Sequence, residues 1–115
     1  MPSIFYSEEA RKIIKKIGPF QIEQFNEEGL AIAGPVEMEE GKRYLGQFLN
    51  GKRHGAGKQV WEDGSLYEGQ WANGMANGKG RLIQTDGDIY EGDWKDDKFS
   101  GHGTYYYCDG SSYVG

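Results

Sequence analysis

Tyr67-Glu68-Gly69-Gln70-Trp71, followed by Asn73-Gly74, Gly78-Lys79-Gly80 and Asp86-Gly87, is a unit that this chain writes three times. Displaced by 23 residues toward the N-terminus it reads Tyr44, Gly46, Phe48, Gly55, Gly57 and Asp63-Gly64. Displaced by 23 the other way it reads Tyr90, Gly92, Trp94, Gly101, Gly103 and Asp109-Gly110. Tyr113-Val114-Gly115 opens a further copy. A fixed period of this size marks a repeat array, in which each unit needs its neighbours to bury its apolar face.

Inside the unit, residues 67, 69 and 71 alternate with Glu68 and Gln70, the period of a strand with one apolar face. Asn73-Gly74 and Asp86-Gly87 are strong turn signals, because these residues accept positive φ. Residues 78–84 then read as a second strand. Each repeat is therefore expected to be a two-stranded antiparallel hairpin and the array a continuous meander. Gly78 and Gly80 share one face of the second strand, and both are expected to leave room for the Tyr and Trp rings of the neighbouring strand. A strand glycine costs roughly 0.5–1 kcal/mol, whereas burying an aromatic contributes roughly 1.5–3 kcal/mol. Valine at Gly80 or Gly103 should therefore break the packing. Asp97 stands where Gly51 and Gly74 close the other two turns, so that turn is expected to be different or longer.

The N-terminal third is less regular. Met1–Tyr6 read as a lead-in and Ser7 as an N-cap, with Glu8 and Glu9 in the first turn. Ala10, Ile13, Ile14 and Ile17 follow at helical spacing until Gly18-Pro19 stops the pattern, which predicts a helix over about 8–17 within a capping segment 1–19. Residues 20–43 form a degenerate repeat: one period back, Phe25 falls on Phe48, Gly34 on Gly57 and Gly41 on Gly64, while Gln21 and Glu23 replace the tyrosine and first glycine. A hairpin is expected there too. The full repeats are 44–66, 67–89 and 90–112, with 113–115 beginning an incomplete one.

Composition narrows the function classes. The 19 glycines sit at repeat positions, which argues against a disordered linker, and a modest 37% hydrophobic content suits a thin, elongated, single-layer body. A single cysteine, Cys108, rules out an internal disulfide framework and fits a reducing, cytoplasmic compartment. No run approaches the ~18 apolar residues of a membrane span, and no secretory signal pattern opens the chain. A net charge of −5 argues against a general nucleic-acid binder.

The combination Tyr-Glu-Gly-x-Trp-x-Asn-Gly-x-x-x-Gly-x-Gly at this period resembles the MORN (membrane occupation and recognition nexus) repeat. The resemblance covers residues 44–115 and extends weakly to about 21. The histidine common before the Gly-x-Gly pair survives as His54 and is Asn77 and Ser100 in the other copies. The resemblance implies a mostly β array acting as an interaction module, with cytoskeletal and ciliary assemblies as its settings. Some family members fuse such repeats to a lipid kinase or a methyltransferase, so a regulatory piece of a larger enzyme is a further alternative.

Residues that carry chemistry elsewhere do not assemble into a site here. Counted from Asp86, the sixth position of a calcium loop is Glu91 and the twelfth Asp97, where glycine and glutamate are required. His54 and His102 have no cysteine cluster and read as exposed residues. No Gly-x-Gly precedes a helix, which excludes a phosphate loop. Cys108 has no catalytic companion. No enzyme activity, metal or cofactor is expected.

Two features point to partners. One is the aromatic set Tyr44, Phe48, Trp61, Tyr67, Trp71, Tyr90, Trp94 and Tyr113, most of it expected as intramolecular core yet lining a face suited to protein binding. An edge at Tyr113 invites pairing with another strand, supplied by a partner, a second copy or the rest of a longer array. The other feature is the basic helix face of Arg11, Lys12, Lys15 and Lys16, suited to acidic phospholipids such as phosphoinositides. The competing reading makes the helix a cap, its isoleucines covering the open apolar end of the sheet. The leading expectation is a non-enzymatic scaffold that binds proteins; the alternative is a peripheral membrane adaptor.

Overall fold

The computed structural model describes residues 8–18 and 20–115. Met1–Tyr6, the N-cap expected at Ser7 and the stop residue Pro19 lie outside the described residues. Helix α1 spans Glu8–Ile17. Eight strands follow: β1 (Ile32–Glu37), β2 (Arg43–Leu49), β3 (Lys52–Val60), β4 (Leu66–Ala72), β5 (Met75–Ile83), β6 (Ile89–Lys95), β7 (Lys98–Tyr106) and β8 (Ser112–Val114). They form one antiparallel sheet in sequential order, the meander that the repeat pattern predicts. The second strands are longer than expected and begin directly after the turns.

The turns set the register. Asn50-Gly51 (φ 54° and 78°) and Asn73-Gly74 (φ 54° and 82°) place both central residues in the left-handed region, as the tight hairpin turn requires. The third turn is not longer, contrary to expectation: Asp96 and Asp97 adopt φ 50° and 71°, and Lys95 pairs with Lys98 as Ala72 pairs with Met75. Aspartate tolerates this region better than most side chains. Here Asp97 is also held in place, its backbone N–H donating to the Ala76 carbonyl (3.0 Å) and its carboxylate accepting the Ala76 N–H (2.7 Å).

Between the turns a row of glycines crosses the sheet. Gly46, Gly57, Gly69, Gly80, Gly92 and Gly103 are successive register partners. Tyr44, Tyr67 and Tyr90 lie over Gly57, Gly80 and Gly103, where an added Cβ would overlap the phenol. The first glycine of each pair has another role, which corrects the sequence reading. Gly55, Gly78 and Gly101 have φ of 74°, 101° and 56°, and the atoms nearest an added Cβ belong to Gln47, Gln70 and Asp93, not to a ring. Those three side chains accept the backbone N–H of Ala56 (3.0 Å), Lys79 (2.7 Å) and His102 (3.1 Å). Each thereby satisfies a donor beside the register shift in its hairpin.

The rings on this face pack edge to face in a ladder: Tyr44–Trp71 at 5.5 Å, Tyr67–Trp71 at 5.1 Å, Tyr67–Trp94 at 5.0 Å and Tyr90–Trp94 at 5.4 Å. Such pairs add about 0.5–1.5 kcal/mol each beyond area burial. The indole N–H of Trp71 donates to the Gly57 carbonyl and that of Trp94 to the Gly80 carbonyl, both at 3.1 Å. Each repeat is thus bolted to the one before it.

The opposite face is covered from within the chain. Ala10, Ile13 and Ile14 pack on Leu45, Val60, Leu66, Ile83 and Ile89. The helix therefore lies along one rim of this face, across the strand ends of β3 to β6, and not over an end of the array. Residues 20–43 are not a hairpin. Ile22–Phe25 is a 3-10 turn, and only β1 joins the sheet, with Val36 opposite Tyr44 as Gln59 is opposite Tyr67. The first half of this degenerate repeat, having lost its tyrosine and glycine, folds back over the sheet instead. The body measures 40 × 33 × 25 Å, only modestly elongated, because eight strands at ~4.8 Å spacing span just ~34 Å.

Candidate interaction surface

The aromatic face carries a groove of about 450 Å³ that runs across β3 to β6. Its floor is the ladder itself, with Tyr67, Trp71, Trp94 and Leu82. Arg53 lines it too: the guanidinium stacks over the Trp71 ring at 4.8 Å, donates to the Gly74 carbonyl at 2.6 Å and to the Gln59 side-chain oxygen. Lys42, Trp61, Asp63 and Asp97 also line it, so the groove pairs an apolar floor with charges of both signs.

The eight aromatic candidates separate into two groups. Tyr44, Tyr67, Trp71, Tyr90 and Trp94 are buried in the ladder and present little surface. Phe48 and Trp61 are half-buried, and Tyr113 is 64% exposed. Burial pushes the phenols of Tyr44 and Tyr67 well above the ordinary tyrosine value, and Tyr90 in the same direction. Sequence reasoning missed Arg53 and Asp97 as groove residues. Both occupy positions where the repeats differ, Arg53 standing where the other copies have Ala76 and Phe99. Such departures from the period are the signal that was available.

On the helix, Arg11, Lys12, Lys15 and Lys16 are all exposed. Ile13 and Ile14 are turned to the sheet, and of the isoleucines only Ile17 keeps substantial exposure, at 45%. Beneath the helix lies a buried ion pair that the sequence did not announce. Arg81 donates to Glu68 at 2.9 Å and to the Gly18 carbonyl at 3.1 Å, and it lies over the Phe20 ring at 5.5 Å. Lys58 approaches the other Glu68 oxygen at 3.8 Å. A second anchor is Gln47, whose amide bonds the backbone of Glu27 and Leu30.

His54 is not an exposed residue as expected. It is half-buried on β3, with Nε2 2.7 Å from the Glu27 carboxylate. The aspartates expected in turns do serve there: Asp63, Asp86 and Asp109 accept the N–H of Ser65, Asp88 and Ser111 at 2.8–2.9 Å. Asp93 lies on β6, its carboxylate held below the usual range by the Lys79 ammonium that donates to it. Cys108 is exposed, and its thiol is pushed up by desolvation and by Asp88. Among the described residues, no group of three or more His, Cys, Asp or Glu side chains is placed to hold a metal ion.

Comparison with known families matches the MORN repeat to residues 44–66, 67–89 and 90–112. Comparison with curated proteins returns no match to this chain.

Proposed function

Because the chain belongs to the MORN-repeat family, whose repeats are generally protein- or membrane-interaction modules and not catalysts, we propose that it is a non-enzymatic scaffold that binds other proteins. The observation that carries this reading is the inequality of the two faces. One face is occupied by the chain's own helix and 3-10 turn, while the other presents an open groove with an aromatic floor and charges of both signs. A buried aromatic centre with a polar rim is the composition of a protein-binding hot spot. The exposed edge around Tyr113 offers a second point of attachment by strand addition. The setting we propose is cytoplasmic, in a cytoskeletal or ciliary assembly, supported by the family resemblance and the single cysteine.

A membrane reading has one specific observation behind it, the four exposed bases of α1. At about 1 kcal/mol each they supply roughly 4 kcal/mol, which is only millimolar affinity. The isoleucines that would deepen insertion are already packed on the sheet.

Peptides selected from a displayed library on the immobilised chain test the first reading. Their binding should shift the amide resonances of Arg53 and Trp61 and should fall at least tenfold with Trp61→Ala. Selection of peptides that perturb only α1, or that are insensitive to Trp61→Ala, would overturn it. Co-sedimentation with phosphoinositide vesicles over a salt series tests the second. Salt-sensitive binding abolished by Lys12→Glu, Lys15→Glu and Lys16→Glu together would favour the membrane.

A further inference from the structure

Arg53 and Ala76 hold the same place in consecutive repeats. Arg53 lays its guanidinium over the Trp71 ring at 4.8 Å, donates to the Gly74 carbonyl at 2.6 Å and bonds the Gln59 side-chain oxygen. One period on, the residues matching Arg53, Trp71, Gly74 and Gln59 are Ala76, Trp94, Asp97 and Leu82. The two tryptophans are held alike. Trp94 meets Tyr67 and Tyr90 edge to face as Trp71 meets Tyr44 and Tyr67, and each indole donates to a glycine carbonyl at 3.1 Å. What differs is the cover. Ala76 ends at Cβ, and among the described residues no arginine or lysine lies over Trp94. Trp94 accordingly keeps 8% exposure against 3% for Trp71. Trp94, Ala76, Asp97, Leu82 and Tyr67 all line the 450 Å³ groove, so the uncovered ring opens into it.

Asp97 supplies the charge. Where Arg53 finds the Gly74 carbonyl, the next copy has a carboxylate, anchored by accepting the Ala76 N–H at 2.7 Å. Burial first and then the Asp97 charge raise the Tyr67 phenol, so this carboxylate acts on the groove floor. Among the described residues no lysine or arginine lies within ion-pair distance of it. We infer that this part of the groove binds an arginine side chain of a partner protein, its guanidinium flat on Trp94 and paired with Asp97. The inference rests on the protein-binding reading above and assigns the partner's chemistry. The chain itself supplies the template, since Arg53 makes the same stack on Trp71. Arginine suits the site better than lysine because its planar fork stacks on a ring and donates from its edge at once. Leu82, in place of Gln59, gives the methylenes of that side chain an apolar neighbour. Arg53 starts from β3 and Ala76 from β5, two strand spacings or roughly 10 Å apart, where salt screens the repulsion between two guanidinium groups.

The probes are peptides selected from a displayed random library on the immobilised 115-residue chain, with affinities read by fluorescence anisotropy. Those that bind the groove, identified by a shift of the Trp61 amide, should share an arginine and should also shift the Trp94 indole N–H. Replacing that arginine by citrulline, its uncharged isostere, should weaken binding about tenfold, and lysine should recover only part of the loss. Ala76→Arg copies the first repeat and should cover Trp94 from within, abolishing binding. Asp97→Gly copies the turns at Gly51 and Gly74 and should weaken binding roughly threefold. Both variants should keep the near-ultraviolet circular dichroism of the ladder, because each new residue already stands at that place in another repeat. Groove-binding peptides that lack arginine, or that bind Ala76→Arg undiminished, overturn the inference and leave the protein-binding reading intact. Lysine as good as arginine overturns it too, since a point charge needs no stack. If Ala76→Arg loses the ladder signal, the citrulline peptides and Asp97→Gly decide, and undiminished binding in both overturns the inference. Failure to select any groove-binding peptide overturns the protein-binding reading together with it.

Discussion

The two faces of the sheet are built by different rules. The aromatic face repeats: tyrosine over glycine, tryptophan against the preceding tyrosine, one indole bond per junction. Each contact there is made within one unit or with the neighbouring one. The helix face does not repeat. At matching positions it carries Leu45, Glu68 and Glu91 on the first strands and Lys58, Arg81 and Thr104 on the second. Its contacts reach far along the chain, as when Arg81 holds Gly18. The periodic face gives the array its rigidity, and the aperiodic face fixes where the N-terminal segment docks. This difference explains why one face is filled by the chain's own N-terminal segment and the other keeps an open groove.

The largest expected effect lies on the helix face. Glu68→Leu leaves the Arg81 guanidinium buried without its carboxylate, and the loss should be about 3–5 kcal/mol in urea unfolding. Replacing both, Glu68→Leu with Arg81→Met, should restore most of that stability. If the double variant were as unstable as the single one, the pair would be more than a docking device. Next comes the aromatic face. Gly80→Val drives a side chain into the Tyr67 ring, and about 3 kcal/mol of stability should be lost, with the near-ultraviolet circular dichroism of the ladder collapsing. Retention of that signal would show that the ladder does not depend on the glycine row.

pH separates the faces without mutation. The Tyr44 and Tyr67 phenols have folded pKa values raised by burial above the unfolded value of about 10. Their contribution is fully present below pH ~10 and is lost as pH rises beyond it, by at most about 1.4 kcal/mol per pH unit for each phenol. The urea midpoint should be flat on their account to pH ~9.5 and fall above it, and Tyr67→Phe should reduce the slope. A slope unchanged in that variant would place the alkaline transition elsewhere. The smallest effect is expected at a single junction. Trp94→Phe removes the bond to Gly80 but keeps a ring, and should cost about 1 kcal/mol by thermal unfolding.

Much of the periodic face was legible because its rules are local. The alternation of Tyr67, Gly69 and Trp71, the turn dipeptides and the glycine of each pair that lies beneath a ring follow from strand period, turn chemistry and size. The other glycine of each pair was misread. Its role depends on a register shift that no alternation pattern displays, and its neighbour is the Gln70 amide, not a ring. The third turn was misread because aspartate was judged by its own conformational preference, whereas the Ala76 backbone holds it in place. The groove was visible only as a stripe of aromatics. Three of those rings, Tyr67, Trp71 and Trp94, form its floor, and Arg53 and Asp97, the departures from the repeat, became its features.

The sequence alone determined the meander, its period, the two Asn-Gly turns and the helix over 8–17, since each of these follows from contacts between residues less than about one repeat apart. Tertiary structure alone decided that α1 lies across the sheet face, that Glu68 and Arg81 are buried together and that residues 20–31 fold back over the sheet. These depend on surfaces brought together from distant parts of the chain, as in the Arg81 bond to Gly18 across 63 residues. The free energy of such docking depends on the shape and charge of a face that exists only once the strands have paired, so no local pattern can encode it.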